Sequence, residues 1–494
     1  MLTRRFASVH ERTSKRGAIV HVPVGYRSYP LKDSLFARSG LVGTRRTQTS
    51  CIRLGMAIWL LLGLITLVTG PAAADEFLFS EDSYHQLADA DSPETILPGT
   101  KITPTNWQQY KKFMPIQLQA AFSGRYRLRV GAEPMYTIET GPTTDFPQPG
   151  TMQENTEKYG GQAKLEKLPT GGWLMTGWLA GVPFPSPDEP NRGVKILYNA
   201  WATFRPNITH NLNVGFLVDR FGNKTTNDVD AAFFGLSHLS EPGMPVNMPY
   251  AGNVFYATRF HVTAPEQSKY TTQLTQVYDD PRKLPDYYVF LPSLRRSIRL
   301  SSAARCSPIL GTDYIQDDNS WLPTNFDVKY LGDKKLLTWI GFADKGFERS
   351  SYVGVSKGEP GGSFPGWPKF GSGMWELRRY HVLDLTWLKS QGSYCYSHSI
   401  FYIDAQTNIR VLGDGYDTSN KLWKLFWIKH TPLIFRGQKI IFGWGYSAPT
   451  MYDVQNTHSS IASVSQQTMD DQVPGEYKDV AKMSSPGSLA QIMK

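Results

Sequence analysis

Few residues in this chain are arranged for bond-making chemistry. The one G-x-S-x-G match is Gly354-Val-Ser-Lys-Gly358, with Ser356 in the nucleophile's place. A nucleophile elbow needs a strand before the serine and a helix after it. Here Glu359-Pro-Gly-Gly-Ser-Phe-Pro-Gly366 follows, too rich in Pro and Gly for a helix. His381 alternates onto one strand face with Leu383, Leu385 and Trp387, the setting of a satisfied core or rim histidine. The paired acids Asp279-Asp280 and Asp317-Asp318 lack the loop spacing of oxygen ligands that a calcium site requires. The sequence has no H-E-x-x-H, no paired C-x-x-C, no P-loop and no strand-linked G-x-G-x-x-G. No catalytic residue, metal or cofactor is assigned, and the chemistry left to explain is noncovalent.

The resource the chain does have is aromatic: Phe, Trp and Tyr make up 13% of its residues. Phe290, Trp339, Trp387, Tyr402, Trp423 and Trp427 sit in strand-like segments. With Trp173, Phe184, Trp201 and Ile298 they are candidates to line an apolar ligand cavity. A dry core built from the same residues is the other reading. Arg295, Arg296 and Arg299 cluster on one hairpin. They suit bidentate contact with a phosphate or lipid headgroup, or a solvated strand face paired with local acids.

These side chains must be positioned by a mainly β body. The hairpin Asp286–Leu300 has an aromatic, β-branched first arm, a Pro292-Ser293 turn and an alternating second arm. Strands are expected over 213–220, 231–239, 254–263, 270–278, 376–388, 393–404, 408–416, 422–429 and 433–444. Helices are expected at Trp107 to Ala121 with Pro115 as a kink, at Met152 to Tyr159, and at Val194 to Trp201. The segment 126–130 reads as a strand, 311–336 as loop-rich, and 345–373 as an insertion or lid.

Charge and targeting bound the function. Of 52 basic and 43 acidic residues, eleven bases and two acids lie in residues 1–55, which leaves 41 of each in the body. A neutral body has no footprint for a phosphate backbone, so nucleic acid is excluded as a partner. Residues 1–55 read as a basic extension too long and irregular for an ordinary signal n-region, and a true translation start near Leu41 or Val42 is expected. Residues 56–74 read as the apolar region and A-x-A-like site of a secretory signal, with cleavage after Ala74. Residues 75–100 read as a flexible lead-in, 101–464 as one β domain with helices, and 465–494 as a polar disordered tail. Export places Cys306 and Cys395 in an oxidising compartment, where they can pair or stay as separate buried thiols.

Six segments occur together in order: Glu157-Lys-Tyr-Gly-Gly-Gln162, Ala180-Gly-Val-Pro-Phe-Pro185, Val194-Lys-Ile-Leu-Tyr-Asn199, Tyr288-Val-Phe-Leu-Pro-Ser-Leu-Arg-Arg296, Phe401-Tyr-Ile-Asp404 and Asp414-Gly-Tyr-Asp417. The chain thereby resembles a domain-of-unknown-function family of Gram-negative envelope proteins described as outer-membrane lipoprotein-sorting-protein-like. The resemblance covers residues from about Trp107 to Tyr452. It implies a LolA/LolB-like fold, a strongly curved antiparallel sheet forming an unclosed barrel with helices over its concave face. It also implies an RND-type transporter or an outer-membrane protein as neighbour or partner. It supplies no ligand and no catalytic residues. The function expected is an exported periplasmic carrier for a lipid-like hydrophobic molecule. An envelope hydrolase acting on a lipid or glycan, and an outer-membrane-associated structural β protein, are the alternatives.

Overall fold

The structure is a computed structural model that describes residues 83–123, 136–221, 223–340, 370, 373–445 and 447–491. The basic extension, the signal region with Ala74, the strand expected at 126–130, the Gly354–Gly358 motif and almost all of the 345–373 insertion lie outside the described residues.

Thirteen strands form one sheet. In chain order they are β1 (Thr209–Val218), β2 (Lys224–Gly235), β3 (Val254–Ala264), β4 (Thr272–Tyr278), β5 (Asp286–Leu291), β6 (Arg296–Arg299), β7 (Phe326–Ile340), β8 (Met374–Trp387), β9 (His398–Asp404), β10 (Arg410–Tyr416), β11 (Leu422–His430), β12 (Ser447–Asp453) and β13 (His458–Met469). Two antiparallel meanders, β1 to β6 and β7 to β11, are joined through β12 and β13, because β13 returns to pair with β1 from Ser459↔Val218 to Met469↔Thr209. At one end β11 pairs with β10 and also meets β7 at the single parallel bridge Ile340↔His430. That end therefore coils back on itself, while among the described residues β6 at the other end pairs only with β5 and leaves an open edge. The fold is mainly β, a curved and unclosed sheet with flanking helices.

The helices are α1 (Ile116–Ser123), α2 (Met152–Tyr159), α3 (Arg192–Trp201), α4 (Gln316–Ser320) and α5 (Val480–Met483). None of the described helices is long and apolar enough to cross a membrane. Pro115 does more than kink the first helical region. Residues Trp107–Phe113 form a 3₁₀ helix, and α1 starts anew at Ile116, since proline cannot donate into a preceding turn. α1 plugs the coiled end. Its Gln117 Nε2 donates to Gly413 O at 3.2 Å, Asp414 Oδ1 at 2.9 Å and Phe426 O at 3.1 Å.

α3 shows how strongly the sheet curves. It is amphipathic: Arg192, Lys195 and Asn199 share one stripe, and the rest of its surface is buried. Ile196, Leu197 and Ala200 pack on Leu383, Leu385, Phe401 and Ile403 of β8 and β9. Tyr198 and Trp201 pack on Phe255, Tyr256 and Val277 of β3 and β4. Two distant limbs of one sheet thus reach the same helix.

Several sequence expectations are corrected. The expected lead-in is packed from residue 83 onward: Tyr84, Leu87 and Ile96 are buried against the coiled end, and Ala88 O accepts from Lys335 N at 2.8 Å. The expected disordered tail is folded to residue 491. β13 runs to Met469, and Val473, Tyr477, Val480 and Leu489 are buried against β2 to β5. Polar composition hid these segments because a few well-spaced apolar residues anchor them. The region expected to be loop up to Leu336 contains most of β7, whose first half alternates between polar and half-buried residues. The strand expected over 433–444 is a small separate hairpin, Leu433–Phe435 with Gln438–Ile440.

Candidate functional site

The side chains of one strand point alternately to opposite faces, and this alternation decides which aromatics meet. On β11, Leu425 and Trp427 face α1, while Phe426 and Ile428 face the α3 side. Trp339, Tyr402 and Trp427 belong to the buried cluster around α1, where Trp339 stacks on Trp375 at 5.3 Å and stands 6.3 Å from Trp427. Trp387 lies with α3 and stacks on Tyr394 at 4.0 Å. Trp173, Phe184 and Trp201 gather on the other side of α3. Phe290 packs under the C-terminal segment. Trp423 is half-buried and donates from Nε1 to Asp453 Oδ2 at 3.0 Å, and Ile298 is half-buried on the edge strand β6. The ten residues are spread over separate clusters on both faces of the sheet. Arg295, Arg296 and Arg299 are exposed at the open edge, and Arg299 donates to Asp286 Oδ1 at 2.5 Å.

A different set of residues encloses a hollow. On the α3 side of the middle strands lies a cavity of about 210 Å³. Asn211, Asn213, Gly215 and Leu217 of β1 line it at strict period two, with Val229 and Phe233 of β2, Thr258 and Phe260 of β3, Phe426 and Ile428 of β11, and Ser460 and Ala462 of β13. Trp444 and Ile309, Leu310, Thr312, Tyr314 and Asn319 complete it. The hollow exists because Gly215, Gly443, Ser460 and Ala462 are small where large side chains would fill it. Among the described residues, no Asp, Glu, Lys, Arg or His lines it. A space so lined takes an apolar group and penalises a charge. The sequence signal was present but quiet: a glycine and two asparagines alternating inside a strand, rather than the conspicuous tryptophans.

The cover of this cavity is a strap, residues 305–320, which includes α4. It crosses from one limb of the sheet to the other. A disulfide joins Cys306 to Cys395 with a Cα separation of 5.9 Å. Arg305 Nε donates to Asp317 Oδ2 at 2.9 Å, and Tyr287 on β5 donates to Asp317 Oδ1 at 3.2 Å. Gln273 Nε2 on β4 donates to Gln316 Oε1 at 2.7 Å. From the opposite limb, Arg410 donates to Asp318 O at 2.7 Å and Tyr396 to Asp318 Oδ1 at 3.3 Å. At the cavity rim, Asp313 bonds His458 Nδ1 at 2.6 Å and accepts from Ser460 Oγ at 2.7 Å. Burial pushes Asp317 and Asp318 each up to about 6, against the opposing pull of Arg305 and Arg410 respectively. The hydrogen bond that His458 donates to the Asp313 carboxylate raises its pKa above the ordinary histidine value.

A second hollow, an open cleft of about 850 Å³, lies beside Pro185 to Arg192 and includes Asp333, Arg379 and His381. It is larger but widely open to water, and its charged groups answer one another. Asp333 bonds His381 Nδ1 at 2.5 Å, and accepts from Tyr330 at 2.6 Å and Arg379 Nε at 2.7 Å. Burial would raise Asp333, but those partners hold it far below the usual carboxylate range. His398 likewise bonds Asp384 at 2.9 Å. His210 bridges Asp230 at 2.7 Å and Thr468 at 3.3 Å, but it packs against the tilted ring of Tyr477 and lines neither hollow. Among the described residues, none of these histidines is hydrogen-bonded to a serine or cysteine.

No curated protein matches the sequence. A solved domain from Vibrio parahaemolyticus, described as outer membrane lipoprotein-sorting, is similar at 14% identity and a TM-score of 0.40, covering 59% of this chain and 98% of its own. A DUF1329 family protein from Desulfovibrio piger is similar at 12% identity and a TM-score of 0.40, covering 58% and 95%. A LolA superfamily protein from Nitrosomonas europaea is similar at 14% identity and a TM-score of 0.33, covering 58% and 96%. A family model described as a protein of unknown function, DUF1329, matches residues 101–490 and so takes in the sheet, the strap and the C-terminal segment; the chain belongs to the DUF1329 family.

Proposed function

We propose that this protein is an exported periplasmic carrier that binds the apolar part of a lipid-like molecule in the cavity between the middle strands and the strap. The observation that carries this reading is the uncharged, aromatic- and aliphatic-lined hollow of about 210 Å³ on the α3 side of the sheet. It exceeds the ~150 Å³ cavity known to admit benzene and on that scale has room for roughly eight heavy atoms. One chain end or ring enters, and the rest of a larger lipid stays outside. Binding is passive, driven by ~25 cal/mol for each Å² of apolar surface removed from water. The strap supports a route of entry: it is tied at one end by the Cys306–Cys395 disulfide, and beyond that anchor polar bonds that can open and re-form hold it to both limbs of the sheet.

The export signal at 56–74 and the neutral body motivate a periplasmic setting. There a loading or unloading partner, an RND-type transporter or an outer-membrane protein, would complete the role. Native mass spectrometry and solvent extraction of protein purified from the cell envelope test the proposal. The expected result is a mass excess released as one class of apolar molecule. Protein that carries no extractable molecule and takes up none from envelope lipids would refute it.

A further inference from the structure

We infer that residues 307–316 form a hinged flap that gates the cavity, and that Asp313 at its tip is the latch, tightened when His458 carries a proton; this rests on the reading of the cavity as the ligand site. The flap is a hairpin in its own right. Gln316 N donates to Ser307 O at 3.1 Å, Ile309 N to Tyr314 O at 2.8 Å and Thr312 N to Ile309 O at 2.9 Å. Leu310 and Gly311 make the turn with φ of 47° and 78°, the left-handed pair that a two-residue hairpin turn uses. These bonds lie within the flap, so it can swing as one piece without breaking them. Its base is fixed on both strands of the hairpin: by the Cys306–Cys395 disulfide on one, and by the Arg305–Asp317 ion pair and the Arg410 bond to Asp318 on the other.

The tip is held differently. Ile309, Leu310, Thr312 and Tyr314 cover the cavity. Among the described residues, every hydrogen bond between residues 308–314 and the sheet runs through Asp313 to β13. Its N–H donates to Ser460 Oγ at 2.7 Å, and its carboxylate accepts from Ser460 Oγ at 2.7 Å and from His458 Nδ1 at 2.6 Å. Otherwise the tip rests on apolar contacts, Ile309 and Tyr314 against Phe426 and Met451, which an apolar ligand can replace. The charged groups facing the His458 ring are Asp313 on the flap, Asp453 on β12, Asp219 just after β1 and Lys424 on β11. Lys424 is itself paired with Asp453 at 2.8 Å, so acid outweighs base around the ring. When the flap lifts, Asp313 leaves and His458 falls back towards the ordinary value of ~6.5. The closed flap therefore holds the proton more tightly. The stability this adds is fully present below the ordinary value and is lost as pH rises through the raised one.

Stopped-flow mixing of the whole protein with 1-bromohexane tests the gate, because bromine quenches tryptophan fluorescence and Trp444 lines the cavity. Asp313→Ala is expected to admit the probe at least fivefold faster than the wild type. Asp313→Cys/Ser460→Cys, once oxidised, ties the tip to β13 and is expected to admit it at least tenfold more slowly, while neither single-cysteine variant is slower than the wild type. Wild-type entry is expected to be at least twofold slower at pH 6 than at pH 8.5, and His458→Gln to lose that dependence. Asp317 and Asp318, each raised to about 6 at the base of the flap, titrate alike in both proteins. Entry at the wild-type rate past a bridged tip, or unchanged entry into a folded Asp313→Ala protein, would overturn the gate and its latch. A pH dependence kept in full by folded His458→Gln would overturn the proton link. A wild type with no saturable quenching at either pH would overturn the cavity reading itself, and this inference with it.

Discussion

At the scale of single residues, the alternation along strands matters more than residue type. Trp427 and Phe426 are neighbours in sequence, yet one belongs to the cluster around α1 and the other to the cavity wall. The sequence made strand segments and aromatic richness legible, but not which parity faces which helix, because that depends on register across the sheet. Asp414 is a residue whose environment could not have been read from its neighbours. It is buried beside α1, accepts from Gln117 Nε2 at 2.9 Å and from Tyr402 at 2.9 Å, and burial pushes it up to about 7. Its folded value lies above the ~3.9 of an unfolded aspartate, so the folded state holds this proton more tightly. Stability from this group is fully present below about pH 4, falls as pH rises from there towards 7, and is flat above that. Asp414→Asn removes the dependence. Denaturant unfolding of both proteins should show the variant gaining on the wild type between pH 4 and pH 7, by up to ~4 kcal/mol. A difference that does not change with pH would contradict the assignment.

At the scale of elements, the strap and the C-terminal segment hold the limbs of an unclosed sheet. The disulfide Cys306–Cys395 spans 89 residues of sequence. Replacing both cysteines with serine should cost about 2–5 kcal/mol, measured by chemical denaturation, and should accelerate ligand release by loosening one anchor of the strap. From the sequence this pairing was one of two open alternatives, because a separation between cysteines is set by the fold and not by spacing.

The C-terminal segment is an element that composition concealed. Tyr477 donates to Asp230 at 2.7 Å and Arg259 donates to Ser488 Oγ at 2.7 Å, while Leu489 is fully buried. Leu489→Ala should therefore destabilise by about 2–5 kcal/mol, the cost of a buried leucine truncation. A neutral effect on the unfolding midpoint would mean that this segment does not hold the limb of β2 to β5.

At the scale of the whole molecule, architecture was the most legible feature. Repeated short alternating segments specify a large antiparallel sheet, and the ordered motifs pointed to the family whose model covers residues 101–490. The cavity was not legible, since a hollow is made by small residues brought opposite one another from β1 and β13, far apart in sequence. Gly215 and Ala462 face each other across that pairing. The proposed role requires that this space bind an apolar molecule. Its most direct test is calorimetric titration with octyl methyl ether of the wild-type protein and of Ala462→Trp, whose indole fills the space, with folding of the variant checked by its melting temperature. Saturable one-to-one binding by the wild type, lost in a folded Ala462→Trp protein, is the result predicted. No binding by the wild type, or equal binding by the filled variant, would contradict it.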